Sequence, residues 1–548
     1  MAGPFAVASP ETAAMRTRDG MRLHADIWRP ASANPFPVLL MRQPYGRRIA
    51  STVTYAHPAW YASHGYIVVI QDVRGRGSSE GEFQVFAHEA TDGADAVAWA
   101  ASLPGSNGAV GMYGFSYQGT AQLLAAARAG SALKALAPAM IGWDLRADWA
   151  YENDAFCLQA NLGWATQIGA ETARLAGDAD AFAAFYAASR GLPWAGVRAT
   201  RPDFIERHGR HTHYHAWLAR RDDHAYWRSI SPAAQADEVA VPMLFVGGWY
   251  DTHLPGTLAA FKHYAARAAV PARLVVGPWP HMPWGRRLAG VDFGPEAAGG
   301  IDHLHLRWFD HWLKGRDTGI LAEPAVRLFE MGRNEWRDFP AWPAHAAELY
   351  LAGNGLASID ERSGRLAFEA PADGGVDRLV HDPWRPAPAV GGAFGTPPGP
   401  ADRSAVDARG DVLTFTTEPF ASETRLAGNV TARLWLAADV PSIDVSCTLS
   451  RVTRAGSALT LTQGYRHLPA GAPREPVLVP MRATAACLAP GEALRLSLAA
   501  ACFPAYPVNP GTGRRPEEAS LDEARIITFG VHHGGATPSA VLVPLVPA

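Results

Sequence analysis

Residues 109–120, Ala-Val-Gly-Met-Tyr-Gly-Phe-Ser-Tyr-Gln-Gly-Thr (AVGMYGFSYQGT), form a short apolar run that stops at a glycine-flanked serine and continues into a helix-forming stretch. A strand, a sharp turn and a helix in this order present a serine hydroxyl at the top of a sheet, with the next residue's N–H beside it. The usual spacing of such an elbow is G-x-S-x-G. Here Gln118 stands where the second glycine belongs, and Gly119 comes one residue late. On this stretch alone Ser116 is either a nucleophile or an ordinary serine in a glycine-rich turn.

The neighbouring sequence supplies a fold for that turn. Apolar runs ending at Gly, Pro or Asp recur between residues 21 and 281: PVLLMRQ from Pro37, YIVVIQD from Tyr66, AVGMYGF from Ala109, ALAPAMI from Ala135, PMLFVGG from Pro242 and RLVVGPW from Arg273. Such runs suit strands buried on both faces of a parallel sheet. Helical stretches, DGADAVAWAASL from Asp92 and YQGTAQLLAAARA from Tyr117, separate several of them, which predicts an α/β domain with crossover helices. From Trp143 to about Glu238 the chain turns rich in Ala, Trp, His and Asp with helical spacing, as expected of a helical cap inserted over the carboxyl ends of the strands. After the helix-like segment IDHLHLRWFDHWLKG, many short alternating stretches (VRLFEM, ELYLAG, DVLTFTTE, SIDVSCTLSRV and others) predict an all-β sandwich or jelly roll. The predicted division is an α/β-hydrolase domain at 1–142 and 239–322, a helical cap at 143–238 and a β-sandwich or jelly-roll domain at 323–548. The Pro/Gly-rich loop VGGAFGTPPGPAD is expected to be irregular surface able to reach across a domain interface.

Composition excludes several functions. At 548 residues the chain exceeds one ordinary domain, and 48% hydrophobic with 18% charged residues is the balance of a globular protein. A formal net charge of -3 gives none of the basic bias that nucleic-acid binding needs. No apolar run is long enough for a bilayer, and the N-terminus lacks a basic region followed by an apolar one, so a cytoplasmic protein is expected. Cys157, Cys447, Cys487 and Cys502 are scattered, as buried free thiols would be.

A nucleophilic serine needs a general base and a carboxylate to orient it. In α/β hydrolases these follow in the order Ser, Asp or Glu, His, at strand ends. PMLFVGGWYD ends at Asp251 and RLVVGPWPH ends at His281, so Ser116, Asp251 and His281 form the expected triad, with Asp144 as the alternative acid. Donors for the oxyanion are the N–H of Tyr117 and, in the loop after PVLLMRQ, the phenol of Tyr45; an aromatic packing role is the other reading of Tyr45. The cluster His208, His211, His213 and His215 lacks metal-site spacing and is read as a solvated cap segment. Ser78 and Ser79 are read as a structural turn.

MRQPYG, GYIVVIQDVRGRGSSEGEF, NGAVGMYGFSYQG, GGWYD and VVGPWPH together resemble the cocaine-esterase-like hydrolases of the X-Pro dipeptidyl-peptidase (S15) family, whose elbow reads G-x-S-Y-x-G. The resemblance covers nearly the whole chain. It implies an α/β-hydrolase domain with a helical cap and a C-terminal jelly roll, with Ser116 as nucleophile, His281 as base, Asp251 as acid, and Tyr45 with the Tyr117 N–H as oxyanion hole. It further implies an acyl pocket at Trp149 and Trp164, with His253 where the esterase has an aromatic residue, and with Ala393 and Phe394 closing it from the β domain. The stretch THLPG after Asp251 carries no acid, which argues against recognition of a substrate amine. The expected activity is hydrolysis of a small-molecule carboxylic ester through an acyl-enzyme, with a bulky or aromatic acyl group and neither metal nor organic cofactor. An amidase or Xaa-Pro dipeptidyl-peptidase, or a non-catalytic binding protein, are the alternatives. Neither nucleic acid nor membrane is an expected partner, and a homodimer is allowed.

Overall fold

A computed structural model describes residues 3–48, 53–196, 198–267 and 269–546. Its first sheet contains β1 (Glu11–Arg16), β2 (Arg22–Trp28), β3 (Phe36–Gln43), β4 (Ile67–Asp72), β5 (Ser106–Phe115), β6 (Leu133–Ala139), β7 (Met243–Tyr250), β8 (Ala272–Pro280), β9 (Val326–Glu330) and β10 (Glu335–Phe339). They lie in the order β1-β2-β4-β3-β5-β6-β7-β8-β9-β10. From β4 to β9 every pairing is parallel, and the two ends of the sheet are antiparallel.

Parallel pairing demands crossovers, and crossovers bury both faces. Every residue of β3, β4 and β7 is accordingly buried. Alternate residues feed two layers. Val38, Leu40 and Val69 pack with the helices Glu89–Ala101, Tyr117–Ala126 and Leu254–Ala265, while Leu39, Met41 and Val68 pack with Pro58–Ser63 and Ile301–Lys314. In the helix Ile301–Lys314 the buried residues Ile301, His305, Trp308, Phe309 and Leu313 fall on one stripe, and Gly315 ends it in the left-handed region at φ 65°.

Among the described residues five α-helices lie between β6 and β7: Leu158–Leu175, Ala179–Ser189, Asp203–His208, Tyr214–Ala219 and His224–Ile230. Their core holds Trp149, Phe185, Trp217 and Trp227. The solvated reading of the histidine-rich segment fails at His213, which is 8% exposed and packs between Trp164 and Trp217. Its helix turns an apolar face, Tyr214, Trp217 and Leu218, into the insertion's core and draws His213 in with it. Beyond β10 the chain forms a twelve-stranded, mostly antiparallel network with one parallel pair, Arg365–Ala367 with Val412–Thr417.

One boundary moves. VRLFEM, read with the β-rich part, contains β9, which pairs in parallel with β8; β10 then folds back on it. Val326 and Leu328 thus complete the first sheet, and the β-rich part begins after Phe339. The two sheets still touch, because the Met331 N–H donates to Ala485 O at 3.1 Å and the Cys487 N–H to Met331 O at 2.7 Å. All four cysteines are buried free thiols. Among the described residues no helix is long and apolar enough to cross a membrane.

His305 lies fully buried beneath Tyr55 and Tyr61, and burial lowers its imidazole to about 3. The native state therefore holds it neutral, while the unfolded chain takes up a proton below about 6.5. Its contribution to stability is full above that value and is lost as the pH falls towards 3. A His305→Phe variant should show an acid limb shallower by about 1.4 kcal/mol per pH unit in urea unfolding between pH 6 and 4; equal slopes would contradict the neutral imidazole.

Candidate active site

The four parallel strands β3, β5, β7 and β8 end on the same edge of the sheet, where such folds place their ligands. Tyr45 follows β3, Ser116 follows β5, Asp251 follows β7 and His281 follows β8. Ser116 sits at φ 59° and ψ -127°, a conformation costing a non-glycine residue about 1–3 kcal/mol and kept only when its surroundings determine it.

Those surroundings explain the late glycine. The Ser116 N–H donates to Ala139 O on β6 at 2.8 Å, which presses the turn against that strand. At Gly119 a Cβ would stand 2.5 Å from Ile141 Cγ2 and 2.8 Å from Ala139 O, so the close approach falls at this residue. Gln118 faces the other way. Its side-chain oxygen accepts from the Phe115 N–H at 3.3 Å, and a Cβ at Gly114, itself at φ 144°, would lie 2.5 Å from its own Cβ. The Tyr117 ring points into the core, stacked on Phe86 at 4.3 Å with its hydroxyl donating to Glu89 at 3.0 Å. Its backbone N–H opens the helix, where N–H groups have no intrahelical acceptor.

His281 Nε2 lies 3.0 Å from Ser116 Oγ, and its Nδ1 lies 2.7 Å from Asp251 Oδ1. A carboxylate only accepts, so Nδ1 carries the proton and Nε2 is free to accept from the serine. Asp251 is fully buried. Burial opposes its charge, but the hydrogen bond from His281 and the nearby imidazoles outweigh it and hold the carboxyl below its ordinary value. Asp144 is elsewhere, capping the turn at Arg146 through the Arg146 and Ala147 N–H groups.

The Trp164 indole donates to Tyr45 Oη at 3.1 Å, and Tyr45 and Ser116 both line the cavity. Burial pushes the Tyr45 phenol up to about 12, so it stays a neutral donor near neutral pH. The serine opens into a cavity of about 510 Å³ whose walls include Trp149, Trp164, His253, Ala393 and Phe394. Trp149 stacks on His253 at 3.9 Å. Burial lowers the His253 imidazole to about 3, so this wall is polar but uncharged.

Arg482 was not singled out by sequence. It comes from the β-rich part and donates to Asp251 O at 3.2 Å and Thr252 O at 2.9 Å while pairing with Glu152 at 2.5 Å. It is buried beside the site, and no local motif marks a bond spanning 231 residues. Ser78 and Ser79 serve the turn after β4, with Ser79 Oγ donating to Asp72 O at 2.8 Å.

The model of the X-Pro dipeptidyl-peptidase (S15 family) matches residues 19–283, and that of the X-Pro dipeptidyl-peptidase C-terminal non-catalytic domain matches residues 318–542. The cocaine esterase of Rhodococcus sp. (strain MB1 Bresler) is 32% identical, with 99% of each chain aligned. The chain belongs to the S15 family. Two solved structures share its fold: an aminopeptidase from a marine sediment Thaumarchaeota archaeon (TM-score 0.82, 24% identity, covering 100% of this chain and 97% of that one) and an α-amino acid ester hydrolase (TM-score 0.81, 21% identity, 99% and 97%). This S15 hydrolase therefore shares its architecture with one chain named an aminopeptidase and one named an ester hydrolase.

If the crowding at Gly119 positions the elbow, Gly119→Ala should lower stability by about 1–3 kcal/mol in urea unfolding and slow fluorophosphonate labelling of Ser116. A variant as stable and as quickly labelled as the parent would show the glycine to be dispensable.

Proposed function

We propose that the protein is a serine carboxylic ester hydrolase for a bulky or aromatic acyl group. The observation that carries this reading is the relay Asp251–His281–Ser116 at 2.7 and 3.0 Å, opening on a cavity walled by Trp149, Trp164, His253 and Phe394. His281 takes the Ser116 proton as Oγ bonds to the acyl carbon. The carbonyl oxygen becomes an oxyanion that accepts from Tyr45 Oη and the Tyr117 N–H. His281 then gives its proton to the leaving alkoxide, the C–O bond breaks, and an acyl-enzyme remains. Water attacks the acyl carbon as His281 takes its proton; the bond from Ser116 Oγ to that carbon then breaks as His281 returns the proton to Oγ, and the carboxylic acid leaves.

Among the described residues no Asp or Glu lines the cavity, which disfavours a substrate ammonium group and supports a neutral acyl chain over an amino acid or a peptide N-terminus. Trp149 and Trp164, with ring centres 5.0 Å apart and their planes at 49°, offer a planar group an aromatic wall. The relative named cocaine esterase supports the ester over the amide.

Nitrophenyl benzoate should be cleaved faster than nitrophenyl phenylglycinate and far faster than a matching anilide; a faster anilide would favour an amidase. Ser116→Ala should lower kcat by about 10⁶-fold. Tyr45→Phe should lower kcat by about 10²–10³-fold with little change in KM. An unchanged rate would return Tyr45 to a packing role.

A further inference from the structure

Arg42 at the end of β3, Arg47 in the loop that follows it and Arg74 in the turn after β4 each have carboxylate partners. Arg42 pairs with Glu89, Arg47 with Asp26 and Asp72, and Arg74 with Asp19 and Asp92. Arg76 is the exception. It is fully buried, its Nε and Nη2 have no hydrogen-bond partner among the described residues, and its Nη1 reaches only Ile168 O, at 3.4 Å. Its guanidinium lies 3.8 Å over the Phe83 ring. A buried cation without a carboxylate is destabilising.

The position of Arg76 suggests what that charge does. Ile168 is one helical turn beyond Trp164, whose indole holds Tyr45 Oη. Phe83 in turn lies 6.1 Å from the Tyr117 ring. The guanidinium is thus one helical turn from the indole that holds Tyr45 Oη, and its charge acts on the Tyr45 phenol. The other titratable groups it faces are Tyr117, Glu171 and His213. Arg174 already engages Glu171 through two hydrogen bonds, and burial lowers the His213 imidazole to about 3, so it adds no charge of its own.

We infer that Arg76 is a positioning residue whose unpaired charge, in a water-poor interior, strengthens Tyr45 as the hydrogen-bond donor to the oxyanion. The charge has little to act on while the acyl carbonyl is neutral and much to act on once the oxygen becomes anionic, so its effect belongs to the transition state. This inference rests on the proposed role of Tyr45 at Ser116.

The test compares Arg76→Met, which keeps an apolar stem over Phe83, with Arg76→Lys, which keeps the charge. Each is made alone and with Tyr45→Phe in the full-length chain. Two rates are read: kcat and KM on an aryl benzoate, and the rate at which a fluorophosphonate labels Ser116, which needs no known substrate. Arg76→Met should lower both kcat and the labelling rate by about tenfold with KM nearly unchanged, and Arg76→Lys should restore most of that loss. On the Tyr45→Phe background the same change should cost less than about twofold, because the donor it acts through is gone. The Tm of Arg76→Met should be equal to or above that of the parent, since an unpaired buried charge has been removed. An undiminished labelling rate in a folded Arg76→Met, full additivity with Tyr45→Phe, or a rate loss that simply follows a lowered Tm would each overturn the inference. A parent enzyme that is labelled but cleaves no ester would defeat the ester reading while leaving the Arg76 comparison intact; a parent that is not labelled would defeat both.

Discussion

A serine at φ 59° is a strained residue, and the organisation of the site follows from what holds it there. β6 grips its N–H through Ala139 O, Gly119 lets the helix close on that strand, and Gln118 caps the preceding residue. The Tyr117 ring anchors the first helical turn by stacking on Phe86 and bonding to Glu89, which Arg42 on β3 neutralises. The strain at one backbone position is thus balanced by contacts on the strands to either side, β3 and β6. Only with the serine so fixed can one imidazole reach both its oxygen and Asp251.

The acid is held as firmly, though from a different quarter. Asp251 lies at full burial between its histidine and Arg482, which reaches across from the β-rich part to the backbone carbonyls of Asp251 and Thr252. The same guanidinium lies 4.8 Å over the Phe394 ring on the cavity wall and pairs with Glu152 of the insertion. One side chain therefore joins all three parts of the chain at the site, through contacts that require all three to be folded. Asp251, His281 and Ser116 all follow strands of the first sheet, yet the β-rich part supplies Phe394 to the cavity wall and Arg482 to the loop at Asp251.

What the sequence could and could not disclose divides along the same line. Ser116, Asp251 and His281 each sit just after an apolar run in the order a hydrolase uses, so local pattern and chain order singled out three residues whose side chains the fold brings into hydrogen-bond contact. The displaced glycine was legible as an anomaly, but its reason lies in Ala139 and Ile141, which are distant in sequence. Arg482 was hidden for a more specific cause. Its strand, Val477–Leu488, has Pro480 as its fourth residue, a poor sign for a strand. The proline is tolerated because, among the described residues, this end of the strand has a ladder partner on one side alone, Thr424–Ala438, the bridge to Met331 lying at its far end. Likewise VRLFEM alternates like a half-exposed strand, and nothing within it says which of two sheets it will join. Arg76 lies within GYIVVIQDVRGRGSSEGEF, a stretch that carries the family resemblance, but its interest lies in partners it lacks, and sequence cannot show a missing partner.

The brace from Arg482 also bears on how the protein comes into being. A ribosome delivers the chain from its amino end, so the loop bearing Asp251 emerges 231 residues ahead of the arginine that ties it down. Through that interval the sheet can assemble and bring serine, histidine and aspartate near one another, but the aspartate loop still lacks its last two hydrogen bonds and Glu152 its counter-charge. The loop bearing Asp251 thus takes its final set of hydrogen bonds only once Arg482 has been made and its strand has folded.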